Sequence, residues 1–202
     1  MDDMIVKKTG ESCLFDVASD QKGYFTSRQA TACGITHSLL AYHAQHGRYE
    51  RVRRGLYRLT SYPPSLNEEI MVGWLAVGRD IAVASHQSAL ALHDLSDVIA
   101  DHVHMTVPRG RRDREDVPGV RVHTTTRSFE PRDLSVREGI RVTSPIRTVL
   151  DIDELGVSLE HVEAAARETI QRGQATPAMF FDRAMRYAGR FRNHLMHGQV
   201  VL

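Results

Sequence analysis

A single glycine between two short helical patterns limits this chain more than any other feature. In the stretch from Tyr24 to Leu59 one pattern runs from Thr26 or Ser27 to about Cys33, and a second runs from Thr36 to about His46. Gly34 sits between them, where a tight turn needs positive φ and glycine adopts it at no steric cost. Thr26, Ser27 and Thr36 are residues that cap helix N-termini through a side-chain oxygen. After Gly47, Tyr49–Arg53 and Leu56–Leu59 read as strands joined by a turn of Arg53, Arg54 and Gly55. Two helices across a glycine turn, followed by a basic hairpin, make a winged helix-turn-helix.

Charge supports that reading. The net charge of the 202 residues is only +1, yet Lys22 stands just before this segment and Arg28, Arg48, Arg51, Arg53, Arg54 and Arg58 fall within it. Glu50 is the one acid between Gly23 and Thr60. The near-neutral total therefore hides a basic N-terminal third, suited to phosphate contact and counterion release. In the third helix, Ile35, Leu39, Leu40, His43 and Ala44 are expected to face inward. Thr36, His37, Ser38, Ala41, Tyr42 and Gln45 are left outside. That outer face is small or hydrogen-bonding, as entry into a major groove requires. The expected DNA-contacting residues are Ser27, Arg28, Thr36, His37, Ser38, Tyr42, Gln45, Arg48, Arg51, Arg53 and Arg54. An ordinary solvated helix and hairpin is the competing reading, with Tyr42 packed into the wing.

Tyr62-Pro63-Pro64 interrupts the pattern, because paired prolines disfavour both helix and ladder. It divides the chain into residues 1–62, the winged helix-turn-helix, and 63–202, a mixed α/β domain. The expected fold class is α+β. Before the winged segment, Cys13, Leu14, Val17 and Ala18 mark one face of a helix from about Thr9 to Ser19. Beyond the prolines, helices are expected over Leu66–Gly78, Ser85–His93, Ser144–Ile152, Leu159–Arg172 and Pro177–Ala188. Strands are expected over Ile81–Ala84, His102–Val107, Val120–Thr125 and Ile140–Val142. Pro145 at a first helical position and an Arg147–Asp151 pair at i,i+4 support the helix after Ser144.

Several segments resemble one bacterial family. YFTSRQATACGITHSLLAYHAQHGRYERVRRGLYRL is similar to the N-terminal domain of AbiEi antitoxins, from type IV toxin–antitoxin systems. ASHQSALALHDL, HVHMTVPRG and GIRVTSPIRTVLDI are similar to later segments of the same family, so the resemblance runs from about Tyr24 to Ile152. It implies an autorepressor that binds inverted repeats in promoter DNA through the winged domain. It also implies a functional partner, an AbiEii-like toxin of nucleotidyltransferase fold. A monomer in solution with two copies on the operator is compatible with that mode of binding. Two alternatives stay open: a stand-alone or ligand-responsive regulator, for which Trp74 beside an apolar cavity would be the sign, and a protein-interaction module that ignores DNA.

Other chemistries find little support. No apolar run of about 18 residues occurs, so no membrane span or membrane partner is expected. Met1-Asp2-Asp3-Met4 is acidic and opens no signal peptide. Cys13 and Cys33 form no CxxC pattern, and both are expected to be reduced and packed in a cytoplasmic protein. His102 and His104 share a strand face, where two histidines at i,i+2 can ligate a metal, and His123 lies on a neighbouring strand. No acid or HExxH pattern completes a site, so these histidines, with His86 and His93, are read as partly exposed, and neither metal nor cofactor is expected. Ser85, His86, Ser88 and His93 lack an orienting acid or a GxSxG elbow, and no enzyme is expected. The VTSPIRTVLD step also resembles proteins that continue into a Vsr-like endonuclease, but no D…ExK cluster follows it. The loop PRGRRDRED is mixed in sign and reads as solvated, with a phosphate or acidic partner as its functional alternative.

Overall fold

The computed structural model describes residues 10–95, 100–111, 116–186 and 193. The chain forms two compact units that part between Ala76 and Val77. The Pro63-Pro64 pair falls inside the first of them.

In the first unit, helix α1 (Gly10–Ser19) leads into strand β1 (Tyr24–Thr26), helix α2 (Ser27–Ala32) and helix α3 (His37–Gln45). Strands β2 (Tyr49–Arg53) and β3 (Leu56–Leu59) form the hairpin, and α4 (Glu68–Val77) follows. β3 lies between β1 and β2, antiparallel to both. Apolar burial holds the unit together. Leu14, Ala18, Phe25, Ala30, Ile35, Leu40, Tyr49 and Leu59 form one cluster. Phe25 meets Tyr49 edge-on at 5.1 Å and stacks on Tyr57 at 5.9 Å, arrangements that the ring quadrupole favours. This core draws on every element from α1 to β3, so it fixes the helix pair against the hairpin.

Cys13 and Cys33 are joined in a disulfide, which corrects the expectation of two reduced thiols. α1 lies against the C-terminal cap of α2, and the two Cα atoms stand 5.6 Å apart, within bridging range. Proximity across a twenty-residue separation is a product of the helix packing and leaves no spacing motif.

The second unit is built on a five-stranded sheet ordered β6-β5-β4-β8-β7. Its strands are β4 (Val83–Ala84), β5 (Val103–Pro108), β6 (Val120–Thr125), β7 (Leu134–Arg137) and β8 (Ile140–Thr143). β5 with β6 and β4 with β8 are parallel, while β4 with β5 and β7 with β8 are antiparallel. Helix α5 (His86–Leu92) follows β4, and α6 (Pro145–Glu154), α7 (Leu159–Gln171) and α8 (Pro177–Ala184) complete the described residues. The mixed sheet after a winged helix gives the expected α+β class. β7 has no counterpart among the expected strands. Its sequence LSVR is short and half polar, and it is held by its hairpin with β8 across Glu138-Gly139.

Leu90, Ile146, Val149, Leu150, Ile152, Val162 and Phe180 centre the helical core of this unit. The Arg147–Asp151 pair forms at 2.6 Å, but it is buried rather than on a surface face. Desolvation pushes the Asp151 carboxyl up to about 6 despite the guanidinium beside it. The histidines expected to be partly exposed are largely buried: His86, His93 and His104 are all less than a tenth exposed. β5 is covered on both faces, so its alternation of apolar and polar residues does not separate core from solvent. Of the loop PRGRRDRED, residues 112–115 lie outside the described residues, as do His194 and His197.

Candidate nucleic-acid interface

The interface is assembled from α2, α3 and the hairpin. Thr26 caps α2: its side chain accepts from the Gln29 N–H, while Gln29 accepts from the Thr26 N–H at 2.8 Å. This reciprocal capping box fixes where the helix begins. Gln29 also donates to the buried Gln21 at 2.8 Å, linking α2 to the chain that leaves α1. Gly34 turns the chain at φ 84. Thr36 then caps α3 by accepting from the Leu39 N–H at 3.2 Å.

Leu40 is the buried anchor of α3, and His43 and Ala44 flank it half-buried. Thr36, His37, Ser38, Tyr42 and Gln45 are all exposed. Ser38, Tyr42 and Gln45 recur at i, i+4 and i+7 and therefore share one face. Leu39 departs from the expected inward position and is 37 % exposed. One residue corresponds to about 100° around a helix, so a side chain adjacent to the anchor Leu40 stands at the border of the outer face. Leu39 thus adds an apolar contact to that face, of the kind a thymine methyl accepts. Tyr42 does not pack into the wing. It is 53 % exposed and lies against the His46 ring at 3.9 Å, an aromatic platform that the sequence reading missed.

The wing sits beside the start of α2. The Ser27 N–H donates to the Gly55 carbonyl at 2.9 Å. Arg28, Arg51 and Arg54 are exposed, and Ser27 and Arg53 are half-buried. Among the described residues, neither the Arg51 nor the Arg54 side chain makes a hydrogen bond or ion pair. Arg48 is exposed but occupied: it donates to both carboxylate oxygens of Glu11, at 2.7 and 2.9 Å. That guanidinium holds the Glu11 carboxyl below its ordinary range. Glu11 comes from α1, distant in sequence, so a local count of charge around the wing could not include it.

Two cations of the basic segment serve the fold instead. Arg58 donates to the Tyr62 carbonyl at 3.0 Å, approaches Glu68 at 3.4 Å and lies over the Tyr24 ring. Tyr24 in turn donates to Glu68 at 2.8 Å, and burial with this carboxylate pushes its phenol up to about 12. Lys22 donates to the Leu66 carbonyl. The cations left facing outward cluster at the wing turn and the start of α2, on elements that also present α3.

A separate cavity of about 300 Å³ lies in the second unit, lined by Ile146, Met179, Arg132 and Arg183 among others. Trp74 is not part of its lining; it is buried in α4. No helix among the described residues is long and apolar enough to cross a membrane.

No curated protein matches the chain. A family match ends before SHQSALALHDL and VTSPIRTVLD, which remain resemblances. It covers residues 14–60, about a quarter of the chain, and the family is described as "Transcriptional regulator, AbiEi antitoxin"; this segment is similar to the winged part of that family.

Proposed function

We propose that this chain is an autorepressing antitoxin that binds inverted repeats in its own promoter and counteracts a nucleotidyltransferase-like toxin. The observation that carries the DNA-binding half is the exposed face of α3, with Ser38, Tyr42 and Gln45 aligned opposite the buried Leu40. In this reading α3 enters the major groove. Thr36, His37 and Ser38 lie at its N-terminus, where backbone N–H groups also favour phosphate oxygen. Ser38, Tyr42 and Gln45 reach base edges, and Leu39 meets a thymine methyl.

Ser27, Arg28, Arg51, Arg53 and Arg54 hold the sugar-phosphate backbone, which sets register without reading sequence. Arg48 joins them if phosphate displaces the Glu11 carboxylate. Two chains on one inverted repeat would present two such helices to successive major grooves. Acting on promoter DNA requires a cytoplasmic location in a bacterium.

The antitoxin half rests on the family match, and its test is genetic. Co-expression of the chain with the toxin gene adjacent to its own should restore growth that the toxin alone arrests. Growth arrest that persists at full expression of the chain would leave a plain transcriptional regulator.

A further inference from the structure

We propose that His86, His104 and His123 form a binding site for one divalent transition-metal ion of the zinc class. A nitrogen from each ring lies within 4.8 Å of the other two. The three come from separate elements. His86 is the first residue of α5, at the elbow after β4; His104 lies on β5 and His123 on β6. The register explains the convergence. Thr106 pairs with His123 across the parallel β5–β6 ladder, and His104, two residues before Thr106, projects from the same face. The elbow brings His86 over that face, with its ring stacked on His123 at 3.8 Å.

The donor set suits the ion. Neutral imidazoles are preferred ligands for zinc and its neighbours, and three of them leave a fourth position for water. Burial pushes His86 down to about 2 and His104 down to about 4, and it lowers His123 as well. Burial thus favours the neutral imidazole, which offers one ring nitrogen with a lone pair for a ligand bond. His104 Nδ1 and His123 Nε2 stand 2.9 Å apart. A tetrahedral zinc ion with Zn–N bonds of about 2.0–2.1 Å holds its nitrogens about 3.3 Å apart, so the pair becomes a chelate when the rings move apart slightly and the proton shared between them passes to the other nitrogen of the donor ring.

An outer shell is also built. Thr106 donates its hydroxyl proton to Ser85 Oγ at 2.8 Å, and Ser85 Oγ is 2.9 Å from His86 Nδ1. This holds the His86 ring by one nitrogen and leaves Nε2 for the ion, as hydrogen-bonded partners do in metal sites. The Ser88 hydroxyl accepts from the His104 backbone N–H at 2.8 Å. Ser85 stands at the N-cap position of α5 but makes no capping bond, because its hydroxyl is engaged with His86 and Thr106.

The backbone points the same way. His86 is held at φ 52, a left-handed conformation that costs a non-glycine residue about 1–2 kcal/mol. Strain of this kind persists where surrounding structure enforces it and clusters at binding sites. Positive charge nearby is limited in its effect: Arg147, which faces His86, is paired with Asp151 at 2.6 Å, and Arg121, near His104 and His123, is exposed.

The test uses the untagged full chain titrated with Zn²⁺ alone, and separately with Co²⁺. One equivalent of Zn²⁺ should bind and raise the melting temperature, and Co²⁺ should give the visible bands of a tetrahedral nitrogen-ligated ion. His123→Ala and His104→Gln should lose saturable uptake. Ser85→Ala should weaken it by about 10- to 100-fold, and His161→Ala should leave it unchanged. Co²⁺ should also broaden the NMR signals of His86, His104 and His123 in the unsubstituted chain, which locates the ion even where a variant fails to fold. Absence of stoichiometric uptake by the unsubstituted chain, broadening centred on other histidines, or undiminished uptake by folded His123→Ala and His104→Gln would overturn the proposal.

Discussion

The backbone N–H of Ser27 donates to the carbonyl of Gly55 at 2.9 Å, fastening the wing turn to the first residue of α2. Gly55 holds φ 72, and a Cβ built on it would approach the Ser27 hydroxyl at 3.4 Å. A Gly55→Val variant should therefore lose about 1–2 kcal/mol of stability from the left-handed backbone. Promoter affinity should fall further than that loss explains, because the turn that carries Arg53 and Arg54 moves. Equilibrium unfolding beside an anisotropy titration separates the two effects. A folded variant with unchanged promoter affinity would exclude the fastening from DNA binding.

The outer face of α3 predicts a division of labour. Ser38→Ala and Tyr42→Ala should change which promoter variants bind best, with about 1–3 kcal/mol of discrimination lost at the bases each residue contacts. Competition with single-base substitutions across the operator reads this directly. An equal loss for every sequence would assign these residues to backbone contact.

Cys13 and Cys33 close a loop with a sequence separation of 20. Loops of this size correspond to about 3 kcal/mol of stabilisation in the chain-entropy account. Cys13→Ser should lower the unfolding free energy of the first unit by about that amount, and reductant should do the same to the unsubstituted chain. Unfolding curves with and without reductant measure it. Identical curves would mean that the helix packing alone sets stability there. The reducing bacterial cytoplasm makes this comparison relevant to the proposed location.

The buried pair of Arg147 and Asp151 predicts an asymmetry. Asp151→Ala leaves a guanidinium buried beside Phe129 without its carboxylate and should destabilise the second unit by about 3–5 kcal/mol. The double replacement Arg147→Met with Asp151→Leu should recover most of that loss, since a packed apolar pair avoids the desolvation of two charges. Denaturant melts of the single and double variants decide it. A double variant as unstable as the single one would show that the charges contribute more than their burial costs.

The first unit was legible because its signals are local. Thr26, Gly34, Thr36, Gly47 and Gly55 mark caps and turns, and β2 and β3 occupy the residues their pattern indicates. What escaped depends on long-range packing. The engagement of Arg48 by Glu11, the use of Arg58 by Glu68 and Tyr24, and the Cys13–Cys33 bridge join residues remote in sequence. In the second unit, alternation along β5 suggested one solvated face, but its residues are buried on both. The gathering of His86, His104 and His123 follows from the β5–β6 register and the β4–α5 elbow, neither of which a single sequence specifies.

In the proposed function α3 reads promoter DNA while the wing grips its backbone. Fluorescence anisotropy with the chain's own promoter fragment, repeated from about 50 to about 200 mM salt, tests it most directly. The unsubstituted chain should bind its promoter more tightly than a scrambled duplex of equal length, with affinity falling steeply as salt rises. Arg53→Ala with Arg54→Ala should weaken both duplexes together and reduce the salt slope by about 2, near one for each phosphate contact removed. Equal affinity for promoter and scrambled DNA, or an unchanged salt slope in the double variant, would contradict the account.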